Sequence, residues 1–123
     1  MGKVLLAALA PSQLERYLET CELRRFTAKT IIERDTLLRE IEEVRRKGIA
    51  FDDGEFDAEV RCVAVPVWDF AGRVAGAIGM SGPMWRLSLQ ALQEKSKYVR
   101  EAAAALSAEL GYHAEQELAA SIA

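Results

Sequence analysis

Apolar positions follow two different periods along this chain, and the switch between them marks its centre. Val4 to Leu9 fit one face of a short helix over residues 3–10. Pro11 and Ser12 then break that helix and start another, with Pro suited to a first turn and Ser to a cap. Leu14, Tyr17 and Leu18 carry this second helix to about Thr20. Residues 21–34 have no clean period. Thr27, Thr30, Ile31 and Ile32 give them the composition of a loop with room for a short edge strand. Asp35 reads as the N-cap of a third helix whose face is Leu37, Leu38, Ile41 and Val44, and Gly48 as its left-handed stop. Ile49-Ala50-Phe51 begins a strand that Asp52-Asp53-Gly54-Glu55 interrupts, and residues 52–59 read as an acidic loop. The longest helix spans 88–110, capped by Ser88 and stopped by Gly111. Its expected buried stripe is Leu92, Val99, Ala103, Leu106 and Leu110. Residues 112–123 read as a helical extension or a frayed tail.

Between these helices the period falls to two. Residues 61–83 read as a hairpin turning at Asp69-Phe70-Ala71-Gly72 and ending at Gly82-Pro83. Strand alternation puts Val63, Val65 and Val67 on one face and Cys62, Ala64, Pro66 and Trp68 on the other. If Trp68 opposes Arg73, Cys62 opposes Gly79, Ala64 opposes Ala77, and Val60 opposes Ser81. One face is then bulky, and the other is small near its open end. A small face admits either a closely approaching helix or loop, or a small ligand, and the pattern alone leaves both open. A hairpin without helical crossovers implies a mainly antiparallel sheet in an α+β fold, with at least one raw edge.

Composition narrows the function. The chain has 123 residues, 28% charged, with a formal net charge of −3. That is enough for one domain, and the charge argues against a surface built to neutralise phosphates. Arg45-Arg46-Lys47 fits a helix C-terminus better than a nucleic-acid patch. No apolar run is long enough for a membrane span, and the stretch after Lys3 is short for a secretion signal. Cys21 and Cys62 form neither a CxxC pair nor a zinc spacing, so reduced thiols and a cytoplasmic location are expected, with no cofactor. Cys62 as a nucleophile would need a base, and the single histidine, His113, lies beyond the long helix. The acidic stretch Asp52, Asp53, Glu55, Asp57, Glu59 lacks EF-hand spacing, and no metal site is expected. It reads as a solvated loop in which Asp52 alone sits near the mouth of the small face. Ser81 has no G-x-S-x-G elbow around it, and no helix start follows Gly76 and Gly79, so these glycines are not a phosphate loop. Enzyme chemistry is not expected.

Several segments, in order, resemble the effector-binding domain of IclR-type bacterial transcriptional regulators. They are Gly2 to Ala7, Val44 to Ala50, Asp52 to Glu55, Val60 to Val67, Met80 to Pro83, and Ala102 to Gly111. The resemblance implies a GAF-like antiparallel sheet flanked by helices, here over residues 1–111 and lacking the domain's first strands. It implies a small organic or aromatic acid as effector, and assembly as a homodimer or homotetramer. DNA would be read by a winged helix-turn-helix that these residues do not include. By motif, the resemblance carries ligand contacts onto Asp52, Val60, Cys62, Gly79 and Ser81. Gly79 departs from members that bind small keto acids and carry a hydroxyl there, so one donor is lost and room is gained. The alternative is a structural dimerisation module whose pocket is vestigial.

Overall fold

The computed structural model describes residues 2–113. Four helices and three strands follow in the order α1 Gly2–Ala7, α2 Pro11–Thr20, α3 Arg34–Lys47, β1 Ala50–Asp53, β2 Val60–Trp68, β3 Val74–Pro83 and α4 Leu89–Glu109. The sheet is antiparallel in the order β1-β2-β3. The expected α+β class therefore holds, with helices on both faces of the sheet.

The bulky face is the deeper core. Val63, Val65 and Val67 pack with Leu87, Leu92, Val99 and Ala103 beneath α4. On the small face, Val4 of α1 and Val44 of α3 close over Ala50 and Ala64, with Ala7 and Ala77 beside them. Alanines let a helix backbone sit close to the sheet, so a six-residue helix can act as a lid. The pair α2–α3 has its own cluster of Leu14, Leu18, Leu37 and Ile41.

The hairpin register differs from the expected one by two residues. Asp69 N–H bonds to Arg73 O at 2.8 Å, so the turn proper is only Phe70-Ala71-Gly72, with Gly72 at φ 74°. Asp69 Oδ1 accepts from Ala71 N and Arg73 N, the Asx bonding that the sequence implied. Trp68 opposes Val74 and Val67 opposes Gly76, so Ala75 is an extra residue in β3 and forms a bulge. The shorter turn and the bulge each move the pairing by one. Cys62 consequently opposes Ser81 rather than Gly79, Ala64 opposes Gly79, and Val60 opposes Pro83. From Gly76 to Pro83 the shift is even and those side chains keep their expected face, whereas Val74, between turn and bulge, shifts by one and opposes Trp68 rather than Val67.

Other boundaries moved for local reasons. β1 runs on through Asp52 and Asp53, because both pair with β2, opposite Cys62 and Arg61. Residues 21–33 form no strand. Thr27 and Thr30 instead donate to the Gly54 and Glu55 carbonyls, which ties this loop to the β1–β2 connection. Ala10, not Ser12, is the cap of α2, where the Gln13 side chain accepts from Ala10 N and Pro11 opens the first turn. Glu33 precedes α3, and Asp35 lies inside its first turn. Gly48 ends α3 in the left-handed region, and the three cations occupy the last turn as expected. Tyr17, Leu106 and Leu110 are exposed; in α4 it is Ser107 that joins Leu92, Val99 and Ala103 inside. Past α4, Tyr112 stacks on Trp68 with ring centroids 5.9 Å apart. The rest of the expected extension, residues 114–123, lies outside the described residues.

Candidate functional site

The corrected register aligns three residues across the sheet. Asp52, Cys62 and Ser81 are direct neighbours in one row, and Ala50, Ala64 and Gly79 form a second row on the same face. α1 covers the alanine row closely. Over the Asp52–Cys62 end it leaves a cavity of about 190 Å³, lined by Gly2, Lys3, Ala50, Phe51, Asp52, Cys62, Val63 and Ala64.

Lys3 is the charged centre of this region. Its ammonium donates to Glu40 Oε1 at 3.0 Å, Phe51 O at 2.9 Å and Glu55 Oε2 at 2.7 Å. Three donors therefore meet three acceptors, from α3, β1 and the loop after β1. Glu55 reaches Lys3 because Gly54, at φ 75°, turns the chain back. Asp52 Oδ1 then accepts from Glu55 N at 2.8 Å and fixes that return. The Glu55 carboxyl sits above the ordinary glutamate range, since its burial outweighs the favourable Lys3 ammonium. Burial, then the Asp52 carboxylate, pushes the Cys62 thiol up as well. Cys62 therefore stays a protonated thiol at neutral pH, the opposite of an activated nucleophile. His113 is exposed beyond the end of α4.

On the opposite face, Asp53 bonds to Arg61 Nε at 2.7 Å and Lys29 Nζ at 2.9 Å, which together hold its carboxyl below the usual range. Arg61 also donates to Leu87 O at 2.9 Å, so this group anchors the entry to α4. The two adjacent aspartates thus serve different faces, as strand alternation demands. A groove of about 360 Å³ lies between α2 and α3. Its leucine floor belongs to the helix–helix cluster, and its Arg45 is committed to Ala7 O, Leu9 O and Glu42. Among the described residues, no three His, Cys, Asp or Glu side chains converge as a metal site. No helix among them is long and apolar enough to cross a membrane.

The family model described as "Bacterial transcriptional regulator IclR C-terminal" matches residues 1–108. The chain belongs to the IclR family. It is 38% identical over 113 residues to the HTH-type transcriptional regulator KdgR of Escherichia coli, covering 92% of this chain and 43% of KdgR. It therefore spans less than half the length of this relative. The crystal structure of the C-terminal domain of E. coli KdgR superposes with a TM-score of 0.83 at 38% identity, covering 91% of this chain and 68% of that one. The inducer-binding domain of PobR from Acinetobacter, solved as a double mutant in complex with 3-hydroxybenzoic acid, gives a TM-score of 0.83 at 28% identity. That match covers 86% of this chain and 63% of the PobR chain. These relatives are transcriptional regulators and inducer-binding domains, not enzymes.

Within this IclR-family domain, the five residues expected at a ligand site share a face but not one cavity. Asp52 and Cys62 line the cavity, which is partly open to solvent. Gly79 and Ser81 are exposed on β3, and Val60 is half-buried at the end of β2, opposite Pro83. Ser81 lies one strand from Cys62, about 5 Å away in backbone terms. Reading the sequence overlooked Lys3, Glu40 and Glu55. The sequence pattern places Glu55 in a solvated acidic run. The signal that could have found it is the Asp-Asp-Gly-Glu string itself, in which a glycine after a strand reverses the chain and turns the next residue back.

Proposed function

We propose that this chain is the small-molecule-sensing part of an IclR-type transcriptional regulator, and that its effector is a small organic or aromatic acid. The observation that carries the reading is the 190 Å³ cavity beside Asp52 and Cys62. It is smaller than drug-sized pockets of about 300–1,000 Å³, which favours a compound of few heavy atoms. The complex of the PobR inducer-binding domain with 3-hydroxybenzoic acid supports an acid as the class of effector. Residues 1–111 form the sensing unit, with 112–123 an appendage. Asp52 and Cys62 form the inner wall, and Ser81 and Gly79 the outer approach from β3, with Val60 at its end. The effector does not react. It shifts the balance between assemblies of the regulator, a homodimer or homotetramer, while a winged helix-turn-helix reads DNA.

The test is a thermal-shift and calorimetric screen of keto acids, hydroxy acids and hydroxybenzoates against the 123-residue chain. An acid at one hundred times its Kd should add about 2.7 kcal/mol of stability. Cys62→Leu, which fills the cavity from its wall, should abolish that gain and keep the fold. A screen without binders, or a Cys62→Leu chain that responds like wild type, overturns the reading in favour of the vestigial dimerisation module. The exposure of Gly79 and Ser81 outside the cavity is the feature on that second side.

A further inference from the structure

Negative charge outweighs positive around the cavity. Glu40 and Glu55 share one ammonium, Lys3, and Asp52 stands beside them. An acid effector would bring a further carboxylate to a cation whose three donors are already matched. Resting on the effector reading above, we propose that the acid binds by taking the place of Glu55 on Lys3, and that Glu55 takes up one proton from solvent as it is displaced.

The geometry selects Glu55 among the three acceptors. Phe51 O belongs to the backbone of β1 and cannot leave without breaking the strand. Glu40, whose side chain is 41% exposed, is already half in water and gains little by moving. Glu55, at 19%, is the buried partner, and it belongs to the connection that leaves β1 beside the cavity wall. Once separated from Lys3, its carboxylate would stay near Asp52 with no cation to offset burial. Among the described residues, the charged and titratable groups facing it are Lys3 from α1, Asp52 from β1, Glu40 from α3 and Cys62 from β2; of these described groups only Lys3 is a cation. Protonation removes that penalty. The balance is simple: one anion enters, one proton is added to a carboxylate, and the wall keeps its net charge.

The exchange also gives the signal a route. The Glu55 and Gly54 carbonyls accept from Thr30 and Thr27, so the backbone that carries Glu55 is tied to the loop over residues 21–33 and any shift of it is passed to that loop. That loop carries Phe26, whose ring sits 5.0 Å from the ring of Phe56, and both are exposed.

The test is calorimetry with pyruvate and with 3-hydroxybenzoate on the whole 123-residue chain, in buffers of different ionisation enthalpy. Binding to wild type should take up about one proton per acid above the Glu55 titration. Its affinity should then fall about tenfold per pH unit. Glu55→Gln should bind at least as tightly at pH 8, with no proton uptake and a flat pH profile. Lys3→Gln should lose tenfold or more, and the wild-type buffer comparison stands even if that variant does not fold. Wild-type binding without proton uptake, or a Glu55→Gln profile parallel to wild type, overturns this inference and leaves the effector reading intact. Failure of both acids to bind any variant overturns the exchange, and failure of the whole acid screen overturns the effector reading with it.

Discussion

Ser107 offers a direct measure of how α4 is locked to the sheet. It is 2% exposed, and its hydroxyl donates to Ala103 O at 2.7 Å and accepts from Trp68 N–H at 3.0 Å. Asp69 N–H points towards β3, where it bonds to Arg73 O, so by strand alternation the Trp68 N–H points to the other flank. β1 does not reach that far: it begins at Ala50, opposite Ala64. The Ser107 hydroxyl is therefore the substitute for a missing strand. In Ser107→Ala the Trp68 N–H loses its acceptor, which costs about 1–3 kcal/mol for a buried donor. Trp68 is only half-buried, which favours the low end. The better helix propensity of alanine returns a few tenths to about 0.5 kcal/mol. The net loss should be about 1–2 kcal/mol, read from urea unfolding followed by tryptophan fluorescence and far-UV circular dichroism. Ser96→Ala, which removes a surface hydroxyl bond to Gln93 O in the same helix, should change stability by less than about 0.5 kcal/mol. Equal effects at Ser107 and Ser96 would refute the claim that this hydroxyl closes the β2 flank.

Two further outcomes follow from single features. Gly48→Ala places a side chain at φ 69° with no atom within 4 Å, so only backbone strain acts; it should cost about 1–2 kcal/mol, and a variant as stable as wild type in urea would contradict the left-handed cap. Asp53, held low by Lys29 and Arg61, contributes stability that is fully present above the unfolded carboxyl value of about 3.9 and lost as the pH falls through its lower folded value. Asp53→Asn should therefore be destabilised at pH 7 and approach wild type as the pH falls towards 3, and a pH-independent gap between the two would show that the Arg61–Lys29 clamp does not govern it.

The helices and the hairpin were legible in the sequence because each rests on local chemistry. Gly48 and Gly111 stop helices through positive φ, Ser88 accepts from Ala91 N, and Asp69 folds its own turn. What local pattern did not specify was pairing. A three-residue turn and the Ala75 bulge together moved the register by two, and neither is encoded by hydrophobic period. Beyond the bulge the shift is even, so Cys62 and Ser81 share the expected face although their direct partners differ, while Val74, ahead of the bulge, changes face. Ser107 and Glu55 escaped for a shared reason. Each is polar by type and is buried by a partner distant in sequence, Trp68 in one case and Lys3 in the other. The joint resemblance of six segments, from Gly2–Ala7 to Ala102–Gly111, pointed to the family, yet it could not say which of the matched residues line the cavity.

The position of that space follows from where small residues stop. α1 is only six residues long, and β-sheets as a rule twist beneath a helix that crosses them. Contact can be close along only part of such a helix, and the alanines at 50, 64 and 77 set that part beneath Val4 and Ala7. Gly2 and Lys3 line the cavity with Asp52 and Cys62, and Ala50 and Ala64 form part of its wall. Lys3 stands at this cavity, where its one ammonium reaches α3, β1 and the returning loop at once. A larger residue at Ala64 would lift the helix and enlarge the gap, while a larger one at Cys62 would fill it. The small face is thus a seat for a helix that runs on, through Ala50 and Ala64, into the wall of the cavity beneath that helix's first turn.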